Sequence, residues 1–298
     1  MTSAGRIESA ALEWVSRRFE QFAPTSHASA KRIAYVTKAA AELAMICAAA
    51  RKHARSSAVY RRVAERVWED IFRVEALQDY MLSNPDEVPC IGFYASLRSC
   101  GFEDHAYRRR LATILKSGYL NAVERTPSTE LDFAYSLAEA GFAHRDMGKI
   151  YRRSMLGQHP LTYALTKSDL YTITHSIFFT TDFGRRDPPF FTPADRRYFA
   201  SALPRLTGYS IRVGDWDLGA ELLISLAAVG VDTPVVTAAW KLLLAAQKDD
   251  GSFNGPLDAE HASESAANPD REWVTFRDDY HTTLAVLLAI VCAPPKER

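Results

Sequence analysis

Sustained alternation of β-branched and polar residues is almost absent from this chain of 298 residues, and with it any sign of a sheet. Net charge is missing too. The 36 basic and 36 acidic side chains cancel, which argues against nucleic acid or an anionic membrane as the main partner. Cysteine is sparse: Cys47, Cys90, Cys100 and Cys292 show no CxxC spacing. Neither a disulfide framework nor a thiolate zinc site is indicated, and buried free thiols in a reducing cytoplasm are expected. Residues 1–8 lack the apolar run of a secretory signal, and no unbroken apolar stretch has the length of a membrane span. HExxH, P-loop, Rossmann-glycine and GxSxG patterns are all missing, as is an Asp-Asp-x-x-Asp for a magnesium-held diphosphate.

What is present is helix. Apolar residues make up 47% of the chain, enough for a sizeable core, and the length suits one large domain spanning 1–298. Residues 8–22, 29–54 and 58–82 are Ala- and Arg-rich and periodic at helical spacing, a composition that points to a high-GC bacterial source. Breaks are expected at Pro24, Pro85, Gly101, Gly141, Gly184, Gly208, Gly230 and Pro234. Five short apolar helices recur, at 91–101, 131–141, 173–184, 220–230 and 282–292, the first four ending in glycine at the expected cap. Between them lie more amphipathic helices at 107–120, 145–156, 194–206 and 235–247. The glycine spacings of 40, 43 and 46 residues are a helix-pair repeat. Alternating buried and half-buried helices form inner and outer layers, either an open solenoid or a closed barrel. The polar stretch 254–271 reads as a surface loop or lid.

Two of the apolar helices open on ionisable groups. Val213-Gly-Asp215-Trp-Asp217-Leu-Gly-Ala-Glu221-Leu-Leu-Ile carries three acids into a helix apolar on nearly every side. Buried carboxylates are costly unless paired, protonated or bound to a cation. Asp279-Tyr280-His281 leads into the second. Asp215 also suits an N-cap, and Glu221 also suits a buried salt bridge. Two carboxylates this close raise one pKa by repulsion, which fits a general acid or a metal site holding both ionised. His281 and His175 read either as satisfied core groups or as ligands and acid–base groups. Arg185-Arg186 reads as solvated and Asp249-Asp250-Gly251 as a turn.

Three stretches give the chain a resemblance. Gln247-Lys-Asp-Asp-Gly251-Ser-Phe253 resembles the Gln…Gly-aromatic repeat of the terpenoid cyclase and protein prenyltransferase superfamily, the α/α toroids. Asp215-Trp-Asp217-Leu-Gly-Ala resembles the Asp-x-Asp-Asp-Thr-Ala of class II terpene cyclases, with Leu218 for the last Asp and Gly219 for Thr. Tyr280-His281-Thr282 resembles the zinc-binding Tyr-His-Thr of the prenyltransferases, with Asp217 where those carry cysteine. The resemblance covers roughly residues 90–292. It implies an all-α toroid, with residues 1–86 completing or flanking the ring and 87–293 forming the repeats. It also implies a rim where Asp169/Tyr171, Asp215/Asp217 and Asp279/His281 meet, with His175 and Glu221 one turn deeper.

The leading expectation is a small-molecule enzyme of specialised metabolism. It would carry out acid–base cyclisation, isomerisation or elimination of an apolar terpenoid- or polyketide-like substrate. Asp217 would be the acid, tuned by Asp215 and Glu221, with His281 as base and His175 assisting. Tyr171, Phe178, Phe179, Trp216 and Tyr280 would line the cavity. Either no cofactor or a single divalent ion (zinc, manganese or iron) is expected. In the second case Asp215, Asp217 and His281 are the ligands of a hydrolase or lyase. The third reading is a non-catalytic toroid binding a ligand or partner peptide.

Overall fold

The computed structural model describes residues 3–24, 29–54, 58–142, 145–255 and 271–295. Among them there are helices and no strands, so the fold is all-α. The described contacts group into two compact units, Met1–Phe19 with Met155–Arg298, and Glu20–Ser154. The polar stretch expected to be a loop or lid lies mostly outside the described residues.

The unit Glu20–Ser154 is built from α2 (Ala30–Lys52), α3 (Ala58–Arg66), α4 (Glu75–Ser83), α5 (Val88–Cys100), α6 (His105–Lys116), α7 (Pro127–Glu139) and α8 (Met147–Arg153). α2 packs on α5, and α5 on α7. Phe72, Phe93, Tyr94 and Tyr107 form an aromatic cluster, with ring centroids 5.0–5.9 Å apart. By length and composition α2 could cross a bilayer, at a mean hydropathy of 1.5, yet 61% of that window is buried inside the fold. A core helix passes the same test, and the Ala-rich face from Ala39 to Ala50 packs as one. The single helix expected over 58–82 is interrupted. A π-helical turn occupies Val67–Phe72 and the chain turns extended at Val74. Helical periodicity persists through such a bulge, so the pattern alone does not reveal it. Cys47 and Cys90 are buried free thiols, while Cys100 and Cys292 are partly exposed.

The other unit holds α1 (Ser3–Arg17), α9 (Lys167–Thr181), α10 (Pro193–Arg212), α11 (Trp216–Ala228), α12 (Pro234–Ala245) and a final helix, α13 (Arg271–Cys292). Its starts follow local chemistry. Thr166 with Asp169, and Thr192 with Asp195, form capping boxes at α9 and α10. Pro193 and Pro234 sit in first turns, where a missing N–H costs nothing. α11 is wrapped by neighbours: Leu218, Ala220, Leu222, Leu223, Ile224 and Leu226 are each at most 2% exposed. Burying each of the larger ones stabilises by about 1.5–3 kcal/mol. α9, α10 and α13 all pack against it.

Three expectations in this unit are corrected. Gly208 does not end a helix; α10 runs from Pro193 through Pro204 and Gly208 to Arg212, and the break falls at Gly214. Those two residues cost about 4 kcal/mol in helix propensity. Burial of Phe199, Ala202, Leu203, Leu206 and Ile211 offsets it. The helix carrying Asp279 and His281 does not open there. It already runs from Arg271, which places both in its third turn. α9 is capped by Asp182 rather than directly by glycine; Asp182, Phe183 and Gly184 take φ of +49°, +54° and +86° in succession.

The Gln247–Phe253 turn ties the unit together. Gln247 Nε2 donates to the carbonyls of Gly251 and Ile7, both at 2.9 Å. Arg17 donates to the Asp250 carbonyl at 2.5 Å. Gly251 has φ +92°, and a Cβ there would lie 2.3 Å from the Ala10 carbonyl oxygen. Only glycine fits. Phe253 is fully buried, and its N–H donates to Thr283 Oγ1 at 3.0 Å.

Candidate metal centre

Helical geometry puts Asp217 and Glu221 on one face of α11, one turn apart. Both are buried, at 1% and 4% exposure. α9 faces them on one side and α13 on the other. From α9, the Tyr171 hydroxyl donates to Asp217 Oδ2 at 2.5 Å, and the Thr174 hydroxyl reaches Glu221 Oε2 at 2.5 Å. His175 Nε2 lies 3.4 Å from Glu221 Oε1. From α13, His281 Nε2 lies 3.5 Å from Asp217 Oδ2. One donor atom each from Asp217, Glu221 and His281 falls within 4.8 Å of the others. The second oxygen of Asp217, Oδ1, is buried with no hydrogen-bond partner.

That orphan is the anomaly of the site. A buried carboxylate oxygen normally accepts something, and leaving one bare costs about 1–3 kcal/mol. The electrostatics carry the same tension. Burial pushes the Asp217 carboxyl up; His281 opposes this and the Glu221 charge adds to it. Burial pushes Glu221 up as well, but His175, His281 and the Thr174 hydroxyl outweigh it and hold Glu221 low. Tyr171, desolvated and beside Asp217, is held protonated as a donor. The two carboxyls are thus driven apart, one tending to hold a proton and the other ionised.

The remaining sequence candidates have other places. Asp215 caps α11 through Leu218 N–H at 3.4 Å and pairs with Lys167 at 2.7 Å. Glu221, rather than Asp215, joins Asp217 and His281. Asp169 closes the capping box of α9, and Asp279 pairs with Lys248 at 2.6 Å. Phe178 and Tyr280 are buried, Phe178 on Phe183 and Tyr280 on Phe276. Trp216 is partly exposed at the start of α11. Arg185 and Arg186 turn back onto Asp182.

Sequence reasoning passed over Thr174, whose hydroxyl meets Glu221. It also passed over Lys167; a lysine four residues before Tyr171 on the same helix was the available signal. His159, likewise unremarked, bonds Asp195 at 2.7 Å from a backbone at φ +51°. Because Asp195 is also the capping-box acid of α10, that pair ties a loop to a helix start.

An ion with bonds of about 2.1 Å holds tetrahedral ligands about 3.4 Å apart. The donor atoms of Asp217, Glu221 and His281 lie within 4.8 Å of one another, so an ion would have to draw them together by up to about 1.4 Å. Oxygen and imidazole donors suit zinc, manganese or iron. An ion held by these three side chains would keep a further position open, as catalytic rather than structural centres do. His175, 44% exposed at its side chain, stands on the accessible side of the cluster.

Over residues 8–291 the chain matches a family described as a domain of unknown function (DUF6895), and it belongs to that family. No curated protein and no solved structure matches it.

Proposed function

We propose that this chain is a small-molecule enzyme built around one divalent ion of the zinc class, held by Asp217, Glu221 and His281. A water at the open position would be activated for hydrolysis or for a lyase reaction. The observation that carries this reading is the cluster of Asp217, Glu221 and His281, in which the buried Asp217 Oδ1 has no hydrogen-bond partner. A cation answers both its missing contact and the repulsion between the carboxylates. His175, 3.4 Å from Glu221 Oε1 and 44% exposed, would exchange a proton with that water, and the rings of Tyr171, Phe178 and Phe179 make its surroundings apolar. Within residues 155–298, buried α9, α11 and α13 alternate with the less buried α10 and α12. That alternation supports the helix-pair repeat read from the glycine spacing.

The test is metal content by plasma mass spectrometry on untagged protein, before and after reloading with zinc, repeated on His281→Ala. Near-stoichiometric metal that the variant loses supports the reading. Wild-type protein that takes up no zinc, manganese or iron refutes it. That result would return Asp217 to the role of proton donor in a metal-free cyclisation, isomerisation or elimination.

A further inference from the structure

Each carboxylate of the cluster has one oxygen already engaged, and both partners come from the same helix. Tyr171 donates to Asp217 Oδ2 and Thr174 reaches Glu221 Oε2, each at 2.5 Å. Residues three apart on α9 thereby grip residues four apart on α11. The Thr174 hydroxyl is also 3.0 Å from the Tyr171 carbonyl, and the shorter contact is to the carboxylate. The other two oxygens are not held this way. Asp217 Oδ1 has no hydrogen-bond partner, and Glu221 Oε1 faces His175 Nε2 at 3.4 Å, too long to hold it firmly.

From this we infer that Tyr171 and Thr174 act as a clamp that selects the metal. The inference rests on the proposed metal centre. With Oδ2 and Oε2 each spending a lone pair on a hydroxyl, bidentate binding by either carboxylate is disfavoured and each is held to monodentate binding. One His281 nitrogen completes a three-donor set. Four-coordinate ions of the zinc class accept such a set with one water. Calcium, which takes six to eight oxygens and relies on bidentate carboxylates, is left short of ligands. Tyr171 and Thr174 are therefore positioning residues: they touch the ligands, not the ion. Hydrogen bonds of this kind to metal-binding side chains are worth about 10–100-fold in affinity.

The experiment measures zinc and calcium dissociation constants by chelator competition. It uses the full chain in four forms: wild type, Tyr171→Phe, Thr174→Ser, and the double variant Tyr171→Phe/Thr174→Val. Melting of each metal-free form checks that it is folded. In the expected result Thr174→Ser keeps wild-type selectivity because it keeps the hydroxyl. Tyr171→Phe weakens zinc about tenfold. The double variant weakens zinc about 10–100-fold, and its preference for zinc over calcium falls with it. A cobalt-loaded sample should show the change in coordination in its visible spectrum, which a packing defect elsewhere would not move. Zinc bound by wild type and double variant with the same affinity and the same preference overturns the clamp while leaving the metal centre standing. No zinc bound by wild type overturns the metal centre, and the clamp falls with it.

Discussion

Replacing Asp217 by Asn is expected to raise the stability of the metal-free protein and to abolish its response to zinc. The substitution is nearly isosteric. Asn keeps an oxygen for the Tyr171 hydroxyl at Oδ2 and replaces the bare Oδ1 with an amide that can donate to Glu221. Relief of an unmatched buried polar atom is worth about 1–3 kcal/mol, and we take about 1 kcal/mol because the amide geometry is not ideal. For a unit of roughly 150–250 residues that is about 2–4 °C in melting temperature. The sign also depends on pH. The folded Asp217 carboxyl sits above its unfolded value, chiefly through burial. Wild-type protein therefore loses stability as pH rises through the folded value, and the Asn variant does not. Its advantage should be absent below the ordinary carboxylate range and grow upward from there. Zinc reverses the order: at one hundred times its dissociation constant it adds about 2.7 kcal/mol to the wild type and nothing to the variant. Scanning calorimetry with chelator and with zinc, at acidic and neutral pH, reads all of this. A variant that melts well below wild type in chelator would refute the reasoning, because it would make Asp217 a structural group whose contacts hold the helices together.

Other expectations follow from groups outside the cluster. Asp215→Ala should cost about 1 kcal/mol through the lost cap of α11 yet leave metal content unchanged; loss of metal would place Asp215 in the centre after all. Gly251→Ala should destabilise by at least about 1–2 kcal/mol from its left-handed backbone alone, with the Ala10 carbonyl clash added; an unchanged melting temperature would mean the turn is not a fixed anchor. Phe253→Ala should cost about 3–5 kcal/mol, measured by urea denaturation, and a value under about 1 kcal/mol would show that its site collapses without it.

The helices were largely legible because burial and periodicity are written in every turn. The apolar run from Leu218 to Leu226 marks a wrapped helix whatever surrounds it. Proline at the start of α10 and α12, and Thr-x-x-Asp before α9 and α10, are equally local. What failed was local punctuation overruled from a distance. Gly208 and Pro204 are strong breakers, yet Phe199, Leu203, Leu206 and Ile211 bury enough surface to carry α10 past both. The π turn at Val67–Phe72 keeps its apolar residues in phase, so periodicity could not report it.

The candidate site was legible to the extent that its members offend their surroundings. Asp217 and Glu221 stood out as acids inside an apolar helix, and His281 because it led into another. Which acids would meet which histidine depends on the rotation of α9 and α13 about their axes, which spacing along one chain does not encode. Asp215 and Asp217 both stand at a helix start, Asp215 as an N-cap candidate and Asp217 one step inside the apolar run. Lys167 separates them: it neutralises Asp215 at 2.7 Å and leaves Asp217 to the interior. Thr174 carried no such signal, since a threonine in a helix interior ordinarily bonds its own backbone. Its importance comes only from Glu221 lying opposite. A buried acid can thus be found from sequence by what it lacks, whereas the groups that meet it become visible only once the helices are packed.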